Sequence, residues 1–135
     1  MKSLSILLID GNEIEREKFQ KVCEEVNFPC DVLEATSGEQ ALSYLNGFGN
    51  TVNVIILDLH MPQMNGLHFL EKLKSNINYR NTPVVIMSNS EDYADLDKCY
   101  DQGVVGYLNK PTDFSAYSQK VKSFLNYWQQ NEFVT

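Results

Sequence analysis

Val54-Ile55-Ile56-Leu57-Asp58-Leu59-His60-Met61-Pro62-Gln63-Met64-Asn65-Gly66 is the stretch on which the reading of this chain turns. Four β-branched or aliphatic residues in a row, bounded by Pro and Gly, predict a short strand buried on both faces, as in a parallel sheet. Asp58 then stands at the carboxyl end of that strand. In open α/β sheets the loops leaving that edge build the crevice where ligands bind. One acid there proves little by itself, so its weight depends on what else reaches the same edge.

Outward from this stretch, strand-like and helical patterns alternate, which is the signature of successive βαβ units. The first strand is Ser5 to Ile9, ending at Asp10. Asn12 is a good cap for a helix with Phe19, Val22, Cys23 and Val26 on one face. A second strand over residues 31–35 leads to a helix that carries Ala41, Leu42 and Leu45 inward and is ended by Gly47 and Gly49. After Gly66 a third helix places Leu67, Leu70, Leu73 and Ile77 on one face. Val84 to Met87 form the fourth strand, ending at Ser88, and Asn89-Ser90-Glu91-Asp92 supply caps and first-turn acids for a fourth helix, with Gly103 as its C-cap. The fifth strand is Val104 to Leu108, before Asn109-Lys110-Pro111. A final amphipathic helix carries Phe114, Tyr117, Val121, Phe124, Leu125 and Trp128. The expectation is a flavodoxin-like, doubly wound five-stranded parallel sheet of order 2-1-3-4-5, flanked by five helices.

Composition narrows the rest. A chain of 135 residues, 43% apolar and 21% charged, suits one domain with its own core and leaves no room for an output domain. A net charge of −7 and a pI near 4.7 disfavour direct nucleic-acid binding and favour protein partners or a cation. No apolar run approaches a membrane span, and the N-terminal residues run straight into a strand without a signal-peptide pattern, so a cytoplasmic location is expected. Cys23, Cys30 and Cys99 lack CxxC or Cys/His spacing, which fits a reducing compartment. Cys23 and Cys99 read as small buried hydrophobes, while Cys30, beside Pro29, is left open.

Four strand ends deliver polar groups: Asp10, Asp58, Ser88 and Lys110. Taken singly, each fits a turn, a cap or a solvated surface position. Together they form a convergent site. Two carboxylates in one crevice repel unless a cation lies between them, and hard oxygen ligands without His or Cys favour Mg²⁺. A lysine supplies positive charge for phosphate oxygens and a serine hydroxyl donates to another. The set is suited to phosphoryl transfer with a carboxylate as nucleophile.

These residues resemble the receiver domains of two-component response regulators, of the single-domain, chemotaxis type. The resemblance runs over roughly residues 4 to 128 and rests on Ile6-Leu7-Leu8-Ile9-Asp10, Ala35 to Leu42, Leu57 to Gly66, Val84 to Ser88 and Gly103 to Pro111. It implies that Asp58 accepts a phosphoryl group from a phosphohistidine on a histidine kinase or histidine phosphotransfer protein. It further implies that Asp10, Asp58 and the backbone carbonyl of His60 hold Mg²⁺, and that Lys110 binds the phosphoryl oxygens next to a cis Lys110-Pro111 bond. Ser88 and Tyr107 match the hydroxyl and the aromatic residue that switch on phosphorylation. Such a protein is a regulatory phosphoacceptor rather than an independent enzyme, although it assists its own phosphorylation and dephosphorylation. Its output face, helix four, strand five and helix five, binds a downstream protein and can dimerise.

The match departs at Gly11, where the family has a second acid. Asp10, Asp58 and Lys110 then sum to a charge of −1 rather than −2, which implies weaker Mg²⁺ binding. A metal-bound water, Asn12 or Glu13 are candidates to replace the missing acid, and both side chains also fit helix capping. Asn89 stands where a small residue is usual, and His60 and Ser90 flank the path of a hydrolytic water. Two readings follow: a phosphorylatable receiver, or an atypical receiver with an impaired metal site that binds proteins independently of phosphate.

Overall fold

The structure is a computed structural model, described over residues 3–48, 51–60, 65–89 and 93–133. The expected Gly49 stop, the Met61 to Met64 segment and Ser90 to Asp92 lie outside the described residues, and the expectation that Asn89 to Asp92 cap the fourth helix is corrected, since that helix starts at Leu96 with Asp95 at its N-cap position. Elements follow in the order β1 (Leu4–Ile9), α1 (Glu13–Cys23), β2 (Cys30–Ala35), α2 (Gly38–Phe48), β3 (Val54–Leu57), α3 (Gly66–Ser75), β4 (Val84–Ser88), α4 (Leu96–Asp101), β5 (Gly106–Asn109) and α5 (Phe114–Gln129). All four strand pairings are parallel, as the alternation of patterns predicts, and the order β2-β1-β3-β4-β5 is the expected flavodoxin-like one.

The continuous apolar strands are buried on both sides because each alternates its side chains between two cores. Leu7, Ile9, Ile55, Leu57, Val84 and Ile86 pack with Phe69, Leu70, Leu73 and Cys99 on the face of α2, α3 and α4. Leu4, Ile6, Leu8, Val54, Ile56, Val85 and Met87 pack with Phe19, Val22, Tyr117, Val121 and Leu125 on the face of α1 and α5. Burying one such aliphatic side chain contributes about 1.5–3 kcal/mol. Cys23 and Cys99 are buried, as expected of small hydrophobes. Cys30 is half-buried against the α1/α5 core, and the Cys23 thiol hydrogen-bonded to it lowers its pKa.

Several expectations at element ends are corrected. Gly47 lies inside α2 rather than ending it, in open space where no neighbour conflicts with the helix. Ile77 does not face the core: Asn76 turns extended at the end of α3 and its Oδ1 accepts from Asn78 N, so Ile77 projects into solvent. Phe69, which the spacing did not pick, takes the buried place. β5 starts at Gly106, because Val104 N still donates to Cys99 O at the end of α4. The Lys110-Pro111 bond is trans, the isomer an X-Pro bond favours by about 0.5–1 kcal/mol. Gly103 ends α4 with φ +87°, the left-handed conformation in which only glycine avoids a Cβ penalty.

Candidate functional site

Sheet register explains why two acids meet. Ile9 pairs with Leu57 across β1 and β3, so Asp10 and Asp58, each one residue further, leave neighbouring strands side by side. Backbone bonds extend past the strands to fix both: Asp10 N donates to Ala35 O and Asp58 N donates to Ile9 O, each at 3.0 Å. Asp10 is buried, 3% exposed. Its Oδ1 accepts from Asn12 N at 2.9 Å and its carbonyl accepts from Arg16 Nη1 at 2.8 Å, while Arg16 Nε pairs with Glu34 at 2.8 Å. Arg16 thereby clips the first turn of α1 to the ends of β1 and β2.

Asp58 is partly buried and more open than Asp10. Its Oδ1 accepts from His60 N at 3.0 Å. Loss of hydration raises its pKa, Asp10 adds to the rise, and the His60 N–H and the Lys110 ammonium work against it. The same loop is held from behind, where Gly66 N donates to Leu59 O at 3.1 Å.

Lys110 comes from the end of β5, where its N donates to Ser88 O at 2.7 Å and so ties it to the end of β4. Its ammonium is 6% exposed and lies 2.7 Å from Asp10 Oδ2. Ser88 is fully buried at the same edge. Asp10, Asp58, Ser88 and Lys110 therefore all arrive at one edge, as their places in the sequence predict. Tyr107 sits on β5 opposite Ile86, half-buried, with its ring 5.9 Å from that of Tyr93 at 65°.

An open cleft of about 370 Å³ lies above this edge, lined by Asp10, Gly11, Asn12, Glu15, Asp58, His60 and Asn89. Gly11 and Asn89 stand on its wall, where sequence places them. Asn12 is spent on capping, its Oδ1 accepting from Glu15 N at 3.1 Å, and Glu13 is exposed on the first turn of α1. Glu15 is the residue that sequence reasoning missed. It stands three residues after the cap, where an acid reads as a capping-box partner, yet its Oε2 lies 3.6 Å from Lys110 Nζ.

Five parallel strands doubly wound in this order place an acidic cleft and a buried lysine at their carboxyl edge, where open α/β sheets bind their ligands. The family model described as the response regulator receiver domain matches residues 6–122, and the chain belongs to that family. Among similar proteins, the two-component response regulator ARR17 of Arabidopsis thaliana is 32% identical over 125 residues, covering 84% of this chain and 80% of the relative. The two-component response regulator-like PRR37 of Oryza sativa is 26% identical over 110 residues, and there the chain spans only 15% of the relative's length. The phosphorylated cyanobacterial phytochrome response regulator RcpA superposes with a TM-score of 0.90 at 26% identity over 98% of this chain and 99% of that one. The Mn²⁺-bound response regulator Rcp1 shares the fold, with a TM-score of 0.86 at 23% identity over 98% and 99%. The protein is thus a receiver domain of two-component signalling, a class that regulates rather than catalyses. Among the described residues no helix is long and apolar enough to cross a membrane.

Proposed function

We propose that Asp58 accepts a phosphoryl group from a phosphohistidine on a histidine kinase or histidine phosphotransfer protein, and that the change is passed to a protein partner through α4, β5 and α5. The single observation that carries this reading is the pairing of an accessible, partly desolvated carboxylate with a buried lysine at the same strand edge. An Asp58 carboxylate oxygen attacks phosphorus, the P–N bond breaks, and the imidazole leaves with its electron pair and takes a proton. The Asp58 Oδ1 bond to His60 N orients the carboxylate for that attack. Lys110 exchanges Asp10 for the new phosphoryl oxygens, and Ser88, tied to Lys110 through the backbone, donates its hydroxyl to another.

The cleft is lined chiefly by hard oxygen donors, with the His60 imidazole as the exception, and a buried carboxylate oxygen of Glu15 has no hydrogen-bond partner, so the donor set fits a divalent cation such as Mg²⁺. Asp10, Asp58 and the His60 carbonyl are the groups to hold it, and when bound it neutralises charge developing on the transferred group. A conformer that offers the phosphoryl group extra bonds from Ser88 and Lys110 gains population, and Tyr107, on the strand that ends just before Lys110, follows it. The output is a regulated protein-binding face in a cytosolic pathway.

Incubation with a small phosphodonor and Mg²⁺ is expected to add one phosphoryl group by mass, lost in Asp58→Asn and in excess chelator. Absence of the increment in the unaltered protein overturns phosphorylation. It leaves instead the reading that Gly11 favours, a protein-binding module that works without phosphate.

A further inference from the structure

The cleft holds three carboxylates, Asp10, Glu15 and Asp58, against the one ammonium of Lys110 beneath them, a net charge of −2 before the more open Lys18 on the outer side of Glu15 is counted. Glu15 is the unusual member. It comes from the third residue of α1, a full turn away from the strand end, and its side chain is 17% exposed. Its Oε2 is buried and accepts no hydrogen bond, with ammonium groups only at 3.6 Å on either side, Lys18 to Oε1 and Lys110 to Oε2. A buried carboxylate oxygen without a donor costs roughly 1–3 kcal/mol or more, so such an atom signals a missing partner.

We infer that Glu15 supplies the third carboxylate of the cation pocket, taking over from the helix the charge that Gly11 fails to supply from the loop. The inference rests on the proposed phosphoryl-acceptor reading, which needs a bound divalent cation. Among the described residues the ligating groups do not yet converge on one point, and the reason is visible: Lys110 lies between Asp10 and Glu15 and serves as their counter-charge. Lysine and cation therefore compete for the same two acids. A cation entering the cleft releases the Lys110 ammonium, and a phosphoryl group on Asp58 is the acceptor waiting for it.

Placement favours Glu15 over its neighbours. Asn12 uses its side-chain oxygen on the helix cap, and Glu13 is exposed and does not line the cleft. Calorimetric titration with Mg²⁺ alone is expected to give an affinity about tenfold weaker in Glu15→Gln, and unchanged within about twofold in Glu13→Gln. Adding Gly11→Asp to Glu15→Gln is expected to recover most of the loss. In the unaltered protein, saturation with Mg²⁺ should shift the Glu15 side-chain carboxyl carbon resonance, a readout that needs no variant. Equal Mg²⁺ affinity in Glu15→Gln and the unaltered protein, or a Glu15 carboxyl resonance that stays in place while Mg²⁺ binds, overturns the inference and leaves the phosphoryl-acceptor reading standing. No Mg²⁺ binding by the unaltered protein at millimolar concentration overturns both.

Discussion

The two faces of the sheet bury comparable cores but are closed by helices of different quality. On one side, α1 and α5 run 11 and 16 residues, and each starts with a side chain that caps it: Asn12 to Glu15 N, Asp113 to Ala116 N. On the other, α3 is capped by Asn65, but α4 has six residues, no side-chain cap at Asp95, and Cys99 as its buried residue. Helices this short have no stability of their own and depend on packing. The α1/α5 face is therefore the fixed frame that holds Asp10, Glu15 and, through Lys120 to Asn109 O at 2.6 Å, the end of β5. The α4 side is the part of the molecule that can change arrangement at low cost, and it adjoins Ser88 and Tyr107.

Hydrogen exchange gives the largest expected contrast. Amides of α4, such as that of its cap Gln102, should exchange at least ~100-fold faster than those of Val121 and Leu125 in the middle of α5, measured at equilibrium under native conditions. Equal protection on both sides would break the comparison. The phosphate mimic beryllofluoride is expected to narrow the gap by raising protection in α4, since the bound form draws Ser88 and Lys110 into new bonds.

A middle-sized effect is expected at Gly66, where α3 meets the loop that carries Asp58. A Cβ built there falls 2.6 Å from Leu59 Cδ2 and 2.8 Å from Leu59 Cα, and the second of these is backbone that cannot swing aside. Gly66→Ala should cost about 1–3 kcal/mol by urea unfolding. Because Leu59 directly follows Asp58, the same substitution should slow phosphoryl uptake about tenfold. A Gly66→Ala protein with undiminished stability and unchanged uptake would show that the loop is free to give, and that the α3 side is less tightly coupled to the site than its hydrogen bonds suggest.

Much of this was legible in the chain because the decisive signals are local. Val54 to Leu57 must be buried on both faces, the strands recur between amphipathic helices, and together these fix which residues sit at strand ends. Asp10, Asp58, Ser88 and Lys110 follow from that alone. Glu15 was not legible, because an acid three residues after Asn12 looks like an ordinary capping partner, and only three-dimensional packing turns it toward Lys110. Ile77 failed for the opposite reason: it continues the helical period of Leu70 and Leu73, but Asn76 ends the helix first with an Asx turn. The trans Lys110-Pro111 bond follows the intrinsic preference of an X-Pro bond, and only the resemblance suggested cis.

The smallest expected effect is the most direct test of how the two faces differ. Asp113 and Asp95 are the same residue type at the same position relative to their helices, so substitution of each by Ala removes the same chemistry. Asp113 accepts from Ala116 N at 2.9 Å in extended backbone, the geometry of a working cap, whereas Asp95 has φ −98° and ψ 6° and makes no such bond. Asp113→Ala should therefore cost about 1 kcal/mol in urea unfolding, and Asp95→Ala should stay within about 0.5 kcal/mol. Losing a cap also exposes the first-turn amides, so α5 exchange should rise at Ala116 in the first variant while α4 exchange stays as it was in the second. Equal costs would mean that Asp95 caps α4 in solution after all. The α4 side would then be ordered by its own sequence, and its freedom to rearrange on phosphorylation would have to come from Tyr93 and Tyr107 instead.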